Sequence, residues 1–189
     1  MQPGVFSLSG WDLVGALPLS TNQVEYLLGD NDFRWLNRGA VDLMGYNSQA
    51  EKSAWGLPRA KVLYGPLPQQ LKDPESYGSR LKQILKLRRD YKIELSEVLI
   101  VPEVNNPGVF LLVMLLPENN RIAITAINFG RTSASEKIDL TEIKDIDQQR
   151  LYGKQVSNAL GKKQETTVSE DGSFEVNLDG WKAKLLVIE

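Results

Sequence analysis

The side chains best suited to chemistry lie near the start of this sequence. Trp11 and Asp12 stand in Ser9-Gly10-Trp11-Asp12-Leu13-Val14-Gly15, and Arg34, Trp35, Arg38 and Asp42 follow within a short stretch. A Trp face and a fork-shaped guanidinium are the usual tools for gripping a sugar ring or a phosphate, so Arg34, Trp35, Arg38 and Asp42 can build a contact surface for either. Val5, Phe6 and Leu8 suit a short strand, and a strand ending in exposed polar residues such as Asp12 is a site-like arrangement in α/β folds. Each set also has a plain structural reading: Trp11 packs and Asp12 caps a turn, and Trp35 is buried beside an Arg–Asp pair. Asp30-Asn31-Asp32 invites a calcium reading. Arg34 and Trp35, however, stand where an EF-hand loop needs its next oxygen ligand and a Gly, and a helix-terminal turn accounts for both acids.

The absences are as informative. The chain has no His and no Cys, which excludes a Ser-His-Asp triad, a Cys-His pair and imidazole or thiolate metal sites; carboxylates, Lys, Tyr or an oxygen-ligand metal remain. A small carboxylate enzyme would have to use Asp12 with Asp30 or Asp42. No cofactor site is read from the chain. Lys and Arg number 22 against 24 Asp and Glu, a net charge of -2, so no field draws the chain to nucleic acid or an anionic membrane. Lys82, Lys86, Arg88, Arg89 and Lys92 read as the solvated, dipole-complementing end of a helix. The missing cysteines fit a reducing compartment, and Met1-Gln2-Pro3-Gly4 carries no basic leader, so a cytoplasmic location is expected. The longest apolar run, eight residues from Val109, is too short to span a bilayer.

The elements that must position these residues divide near residue 93. Before it, Ser20 to Gly29 reads as a short capped helix and Phe33 to Gly45 as a second, with Gly39 weakening it. Tyr46 to Leu71 is irregular yet packed, Trp55 included. Asp73-Pro74 opens an amphipathic helix to about Tyr91, with Tyr77, Leu81, Ile84 and Leu85 on its apolar face. After it come seven expected strands, near Glu97–Val101, Val109–Leu116, Ile122–Phe129, Ser135–Leu140, Leu151–Val156, Ser173–Leu178 and Lys184–Ile188. The second and third are apolar runs joined by Pro117-Glu118-Asn119-Asn120, a hairpin whose two faces both need cover: a second sheet on one side, helix on the other. Asp139, Glu142, Asp145 and Asp147 read as a solvated rim. The expected fold is α+β, with a short helical and irregular segment and one amphipathic helix over 1–92, then an antiparallel β-sandwich over 93–189.

This order resembles the C-terminal end of the α-amylase family (glycoside hydrolase family 13), where the eighth barrel strand and helix precede a β-sandwich called domain C. Pro3-Gly4-Val5-Phe6-Ser7-Leu8-Ser9-Gly10-Trp11-Asp12-Leu13-Val14-Gly15 is similar to that family's eighth-strand segment at Pro3, Gly4, Asp12 and Gly15. Leu13 replaces the usual acid there and Trp11 a Gly. Ala126-Ile127-Asn128-Phe129 is similar to the Asn-Phe strand of domain C. Ser9 to Leu19 and Arg34 to Gly45 most resemble the trehalose synthase type, which isomerises maltose to trehalose.

The resemblance implies a retaining mechanism through a covalent glucosyl intermediate, with the catalytic carboxylates and active-site histidines on barrel strands that precede this segment. It implies a non-catalytic C-terminal portion that supports the barrel and offers a substrate-rim loop, with Trp11, Asp12, Arg34 and Trp35 as substrate-binding residues. The implied partners are an α-linked glucose disaccharide or glucan and the missing barrel domain or, failing that, another copy of the chain. Val5, Phe6, Leu8 and Val14 are the apolar surface expected to await that cover. The rival reading is a stand-alone carbohydrate-binding or interaction module in which Trp11, Trp35, Trp55 and Trp181 stack on sugar rings.

Overall fold

A computed structural model of the chain describes residues 1–29, 31–144 and 146–189; Asp30 of the calcium and carboxylate-pair readings and Asp145 of the acidic rim lie outside them. The described residues form two compact units, one of Phe6–Gln83 and one of Met1–Val5 with Ile84–Glu189.

In the first unit, Ser9 opens helix α1 (Gly10–Val14): its hydroxyl accepts the Trp11 N–H while the Asp12 carboxylate accepts the Ser9 N–H, and Gly15 closes the helix at φ 59°. The strand expected at Val5, Phe6 and Leu8 does not form. A strand exists through its ladder, and none of the described strands pairs with this segment. Phe6 and Leu8 are exposed, but Val14, expected on the same apolar surface, is buried on the inner face of α1.

Helix α2 (Thr21–Val24) tightens into a 3-10 turn at Glu25–Leu27. The helix expected over Phe33 to Gly45 is only a 3-10 turn, Phe33–Asn37. The chain leaves it to run beside a later segment, with the Ala40 N–H donating to the Pro58 carbonyl and the Ala60 N–H to the Ala40 carbonyl. Gly39 permits this approach, since a Cβ there would sit 2.8 Å from the Pro58 carbonyl oxygen. Helix α3 (Leu67–Gln70) ends on a buried glutamine whose amide donates to the Leu13 and Gly65 carbonyls and whose oxygen accepts the Gly78 N–H. The buried cluster of the unit is small, Leu19, Val24, Leu57 and Ala60, and among the described residues Val14 and Ala40 are buried as well.

Helix α4 (Tyr77–Asp90) starts later than Pro74. Asp73 spends its carboxylate on the Glu75 N–H in a separate turn, and the Ser76 hydroxyl accepts the Ser79 N–H at the helix start. Ile84, expected on the apolar face, is exposed; Leu87 and Tyr91 pack instead.

The second unit is a sandwich. Strands β1 (Glu97–Ile100), β2 (Val109–Leu115), β3 (Ile122–Asn128), β4 (Ala134–Asp139), β5 (Gln155–Asn158), β6 (Lys163–Thr167), β7 (Ser173–Leu178) and β8 (Ala183–Ile188) form a six-stranded antiparallel sheet in the order β1-β2-β3-β8-β5-β6 and a two-stranded sheet β4-β7. The hairpin β2–β3 is in register from Val109 opposite Asn128 to Leu115 opposite Ile122, and Asn119 and Asn120 take positive φ at its tip. Both faces are covered as expected. Leu111, Val113, Ile122, Ile124 and Leu186 meet Ile138, Phe174, Val176 and Leu178 of the smaller sheet. Leu112, Met114, Ala123 and Leu185 lie under Ile93, Leu87 and Tyr91.

The strand expected at Leu151–Val156 begins only at Gln155, because Asp147 caps a 3-10 turn at Gln148–Leu151 and Gly153 reverses the chain at φ 73°. β6 escapes a search for apolar runs: Lys163-Gln164-Glu165-Thr166-Thr167 is a polar edge strand. The fold is α+β with a β-sandwich. No described helix is long and apolar enough to cross a membrane.

Candidate functional site

Within the Phe6–Gln83 unit the chain returns repeatedly to one groove. α1 contributes Trp11, the Phe33–Asn37 turn and its C-terminal edge contribute Arg34, Asn37, Arg38 and Gly39, and the turn at 53–56 contributes Ser53, Ala54 and Trp55. The groove has a volume of about 510 Å³. A side recess of about 190 Å³ is lined by Asp32, Arg34, Trp35, Arg38 and Trp55.

Local chemistry holds each wall. Asp32 caps the Phe33–Asn37 turn by accepting the Arg34 N–H, and both of its oxygens accept from the Arg34 guanidinium at 2.7 Å. Those hydrogen bonds hold the Asp32 carboxyl below its usual range and raise the Arg34 guanidinium. Trp35 is half-buried against the small core, and the Trp55 ring meets its edge with centroids 5.5 Å apart and planes at 77°. The Ser53 N–H donates to the Leu57 carbonyl and the Gly56 N–H to the Ser53 carbonyl, with Gly56 at φ 76°. That turn leaves Trp55 69% exposed, whereas its sequence context reads as packed. Ser53 lines the groove, and its Oγ is buried with no hydrogen-bond partner.

The groove therefore brings Trp11 and Arg34 together, and the recess adds Trp35. Asp12 is not among the lining residues; its carboxylate serves the backbone of its own helix. Asp42 is drawn elsewhere, accepting the N–H groups of Gly45, Tyr46 and Asn47 at 2.8 to 3.1 Å. The Arg–Asp pair beside Trp35 is thus Arg34 with Asp32, not with Asp42. Asn37 and Ser53 escape a reading of the sequence, since nothing in their spacing predicts that the turn at 53–56 will face the Phe33–Asn37 turn.

The other unit has a groove of about 330 Å³ with Leu87, Tyr91, Lys162 and Lys163 in its walls, offering a single aromatic ring. Trp181 lies in that unit too, 66% exposed.

No protein-family model matches the chain, and no curated protein matches it. Among solved structures it is similar to an α-amylase from Geobacillus thermoleovorans complexed with acarbose, at 16% identity and a TM-score of 0.50, over 75% of this chain and 27% of that one. An α-amylase from Anoxybacillus matches at 17% identity and a TM-score of 0.43, over 58% of this chain and 21% of that one. α-Galactosidase I from Mortierella vinacea matches at 15% identity and a TM-score of 0.41, over 57% and 26%. The chain spans between 21% and 27% of the length of these structures. It shares its fold with part of a glycoside hydrolase chain.

Proposed function

We propose that the chain is a non-catalytic C-terminal portion of a trehalose synthase-like, maltose-acting enzyme of the α-amylase family, supporting the barrel and lending it a rim for an α-linked glucose disaccharide or glucan. The observation that carries this reading is the imbalance of the Phe6–Gln83 unit. Its buried apolar side chains are Val14, Leu19, Val24, Ala40, Leu57 and Ala60 among the described residues, while Phe6, Tyr26, Phe33, Tyr46, Trp55 and Leu63 are exposed. So much exposed apolar side chain on a unit with so small a core supports the reading that another protein surface covers part of it. The similarity to an α-amylase solved with acarbose supports the same reading. Trp11, Arg34 and Trp35 are the substrate contacts in this proposal, and Asp12 acts through the shape of α1.

The rival module reading keeps one observation in its favour, the exposure of Trp181 on the sandwich. Incubation of the chain with maltose, trehalose and a nitrophenyl α-glucoside, followed by sugar chromatography, tests the first reading. Asp12, Asp32 and Asp42 are each engaged by local N–H groups or by Arg34, so no turnover is expected and Asp12→Asn should change nothing. Turnover above about 0.1 per second, within the ordinary enzyme range, that disappears in the variant would overturn it. Reading the DNA upstream of the Met1 codon separates the rivals: an in-frame barrel sequence supports the larger enzyme, and a stop codon supports the module.

A further inference from the structure

The charges of the groove suggest more than a neutral sugar. Among the described residues its walls carry Arg34 and Arg38 and no carboxylate, and the acid of the side recess, Asp32, is already committed to Arg34. Arg38 lines both spaces, and its side chain makes no hydrogen bond or ion pair among the described residues. Among the described residues the groove and its recess thus hold two guanidinium charges against the single carboxylate Asp32, and Arg38 offers a planar fork of donors, the geometry that suits a carboxylate or phosphate. Ser53 lines the same groove, and its Oγ, buried behind that wall without a hydrogen-bond partner, is an unspent hydroxyl. Trp11 and the exposed Trp55 supply apolar faces for the C–H side of a pyranose.

We propose that this groove takes an α-glucoside bearing one anionic group, a phosphate or a carboxylate, with the anion on Arg38 and Ser53 and the sugar ring against Trp11 or Trp55. The inference rests on the groove being a sugar site and adds the charge of its ligand. A neutral sugar would leave the Arg38 charge to water. An anion converts it into charge-assisted hydrogen bonds about twice as strong as neutral ones.

Tryptophan fluorescence titration of the full chain with glucose 1-phosphate, glucuronate, maltose and inorganic phosphate, at low and high salt, tests this. Glucose 1-phosphate or glucuronate should bind at least about ten-fold more tightly than maltose, a difference of the size expected from one charged hydrogen-bonded contact, and the advantage should shrink with salt. The tighter of the two identifies the anion as phosphate or carboxylate. Arg38→Gln, an exposed position, should bring the anionic sugars to the level of maltose, and Trp55→Ala should weaken every sugar. Equal binding of maltose and the anionic sugars would overturn the charge proposal and leave the sugar site standing. Inorganic phosphate binding as tightly as glucose 1-phosphate, or no sugar binding at all, would remove the sugar site as well.

Discussion

Asn128 shows how much one side chain can hold. It is 1% exposed at the end of β3; its amide donates to the carbonyls of Thr132, Leu178 and Asp179, and its oxygen accepts the Gly130 N–H at 2.8 Å. It therefore ties the turn after β3 to the turn after β7, where Gly180 passes so close to Arg131 that a Cβ would meet its carbonyl oxygen at 2.1 Å. Asn128→Ala would strand several buried polar groups and should cost about 1 to 3 kcal/mol, the usual penalty for unmade buried hydrogen bonds. A urea midpoint equal to the parent's would show that the network contributes nothing. Acid stability is also decided at single residues. Hydrogen bonds from the Ser169 and Ser173 hydroxyls and the Ser173 N–H hold the Asp171 carboxyl below its ordinary 3.8, and the Thr141 hydroxyl and N–H do the same for Asp139. A carboxylate depressed by folding contributes stability that is fully present above its ordinary value and lost as pH falls through the depressed one. The sandwich should therefore lose stability below about pH 4, and Asp171→Asn should flatten that loss. Parallel acid-unfolding curves for the two proteins would contradict this assignment.

At the scale of elements, the hairpin β2–β3 and helix α4 carry unequal loads. Met114 is fully buried on the face under Ile93, Leu87 and Tyr91, whereas Leu81 on α4 is only half-buried. Truncating Met114 to Ala should cost about 2 to 5 kcal/mol, and Leu81→Ala roughly half of that or less, because the cavity term vanishes where solvent or neighbours can fill the space. Chemical denaturation of the two variants measures the difference, and a larger loss for Leu81 would mean that α4 is held more tightly than its exposure implies. The apolar periodicity of α4 is real, but periodicity reports which side chains share a face, not how completely that face is covered. Ile84 lies on the right face and is still exposed.

The molecule as a whole joins two units of different quality. The sandwich buries Val113, Ile122, Ile124, Ile138, Leu140, Leu178, Leu186 and others in one continuous core, while the buried apolar side chains of the Phe6–Gln83 unit, among the described residues, are few: Val14, Leu19, Val24, Ala40, Leu57 and Ala60. Regions with few buried apolar contacts open locally at lower free energy. Amides of α1, α2 and the segment around Leu57 should therefore exchange hydrogen well before those of β2 and β3. Equal protection in the two units would show that the smaller core is sufficient alone and would weaken the case for a covering partner.

The sequence by itself determined the sandwich, its central hairpin and the helix before it, because apolar runs, Asn-rich tips and capping residues are local signals that burial reinforces. It also identified Trp11, Arg34, Trp35 and Arg38 as candidates, since aromatic faces and guanidinium forks are legible one residue at a time. Tertiary structure alone decided which of them meet. Asp12 and Asp42 accept from backbone N–H groups that lie within five residues of each, Asp32 rather than Asp42 neutralises Arg34, and the turn at 53–56 brings Ser53 and Trp55 to the groove. Val5 to Leu8 has the composition of a strand and forms none, and β6 has a polar composition and forms one, paired with β5. The reason is the same in both cases: strand formation is settled by the neighbour that completes the hydrogen-bond ladder, and no single stretch of sequence contains its neighbour.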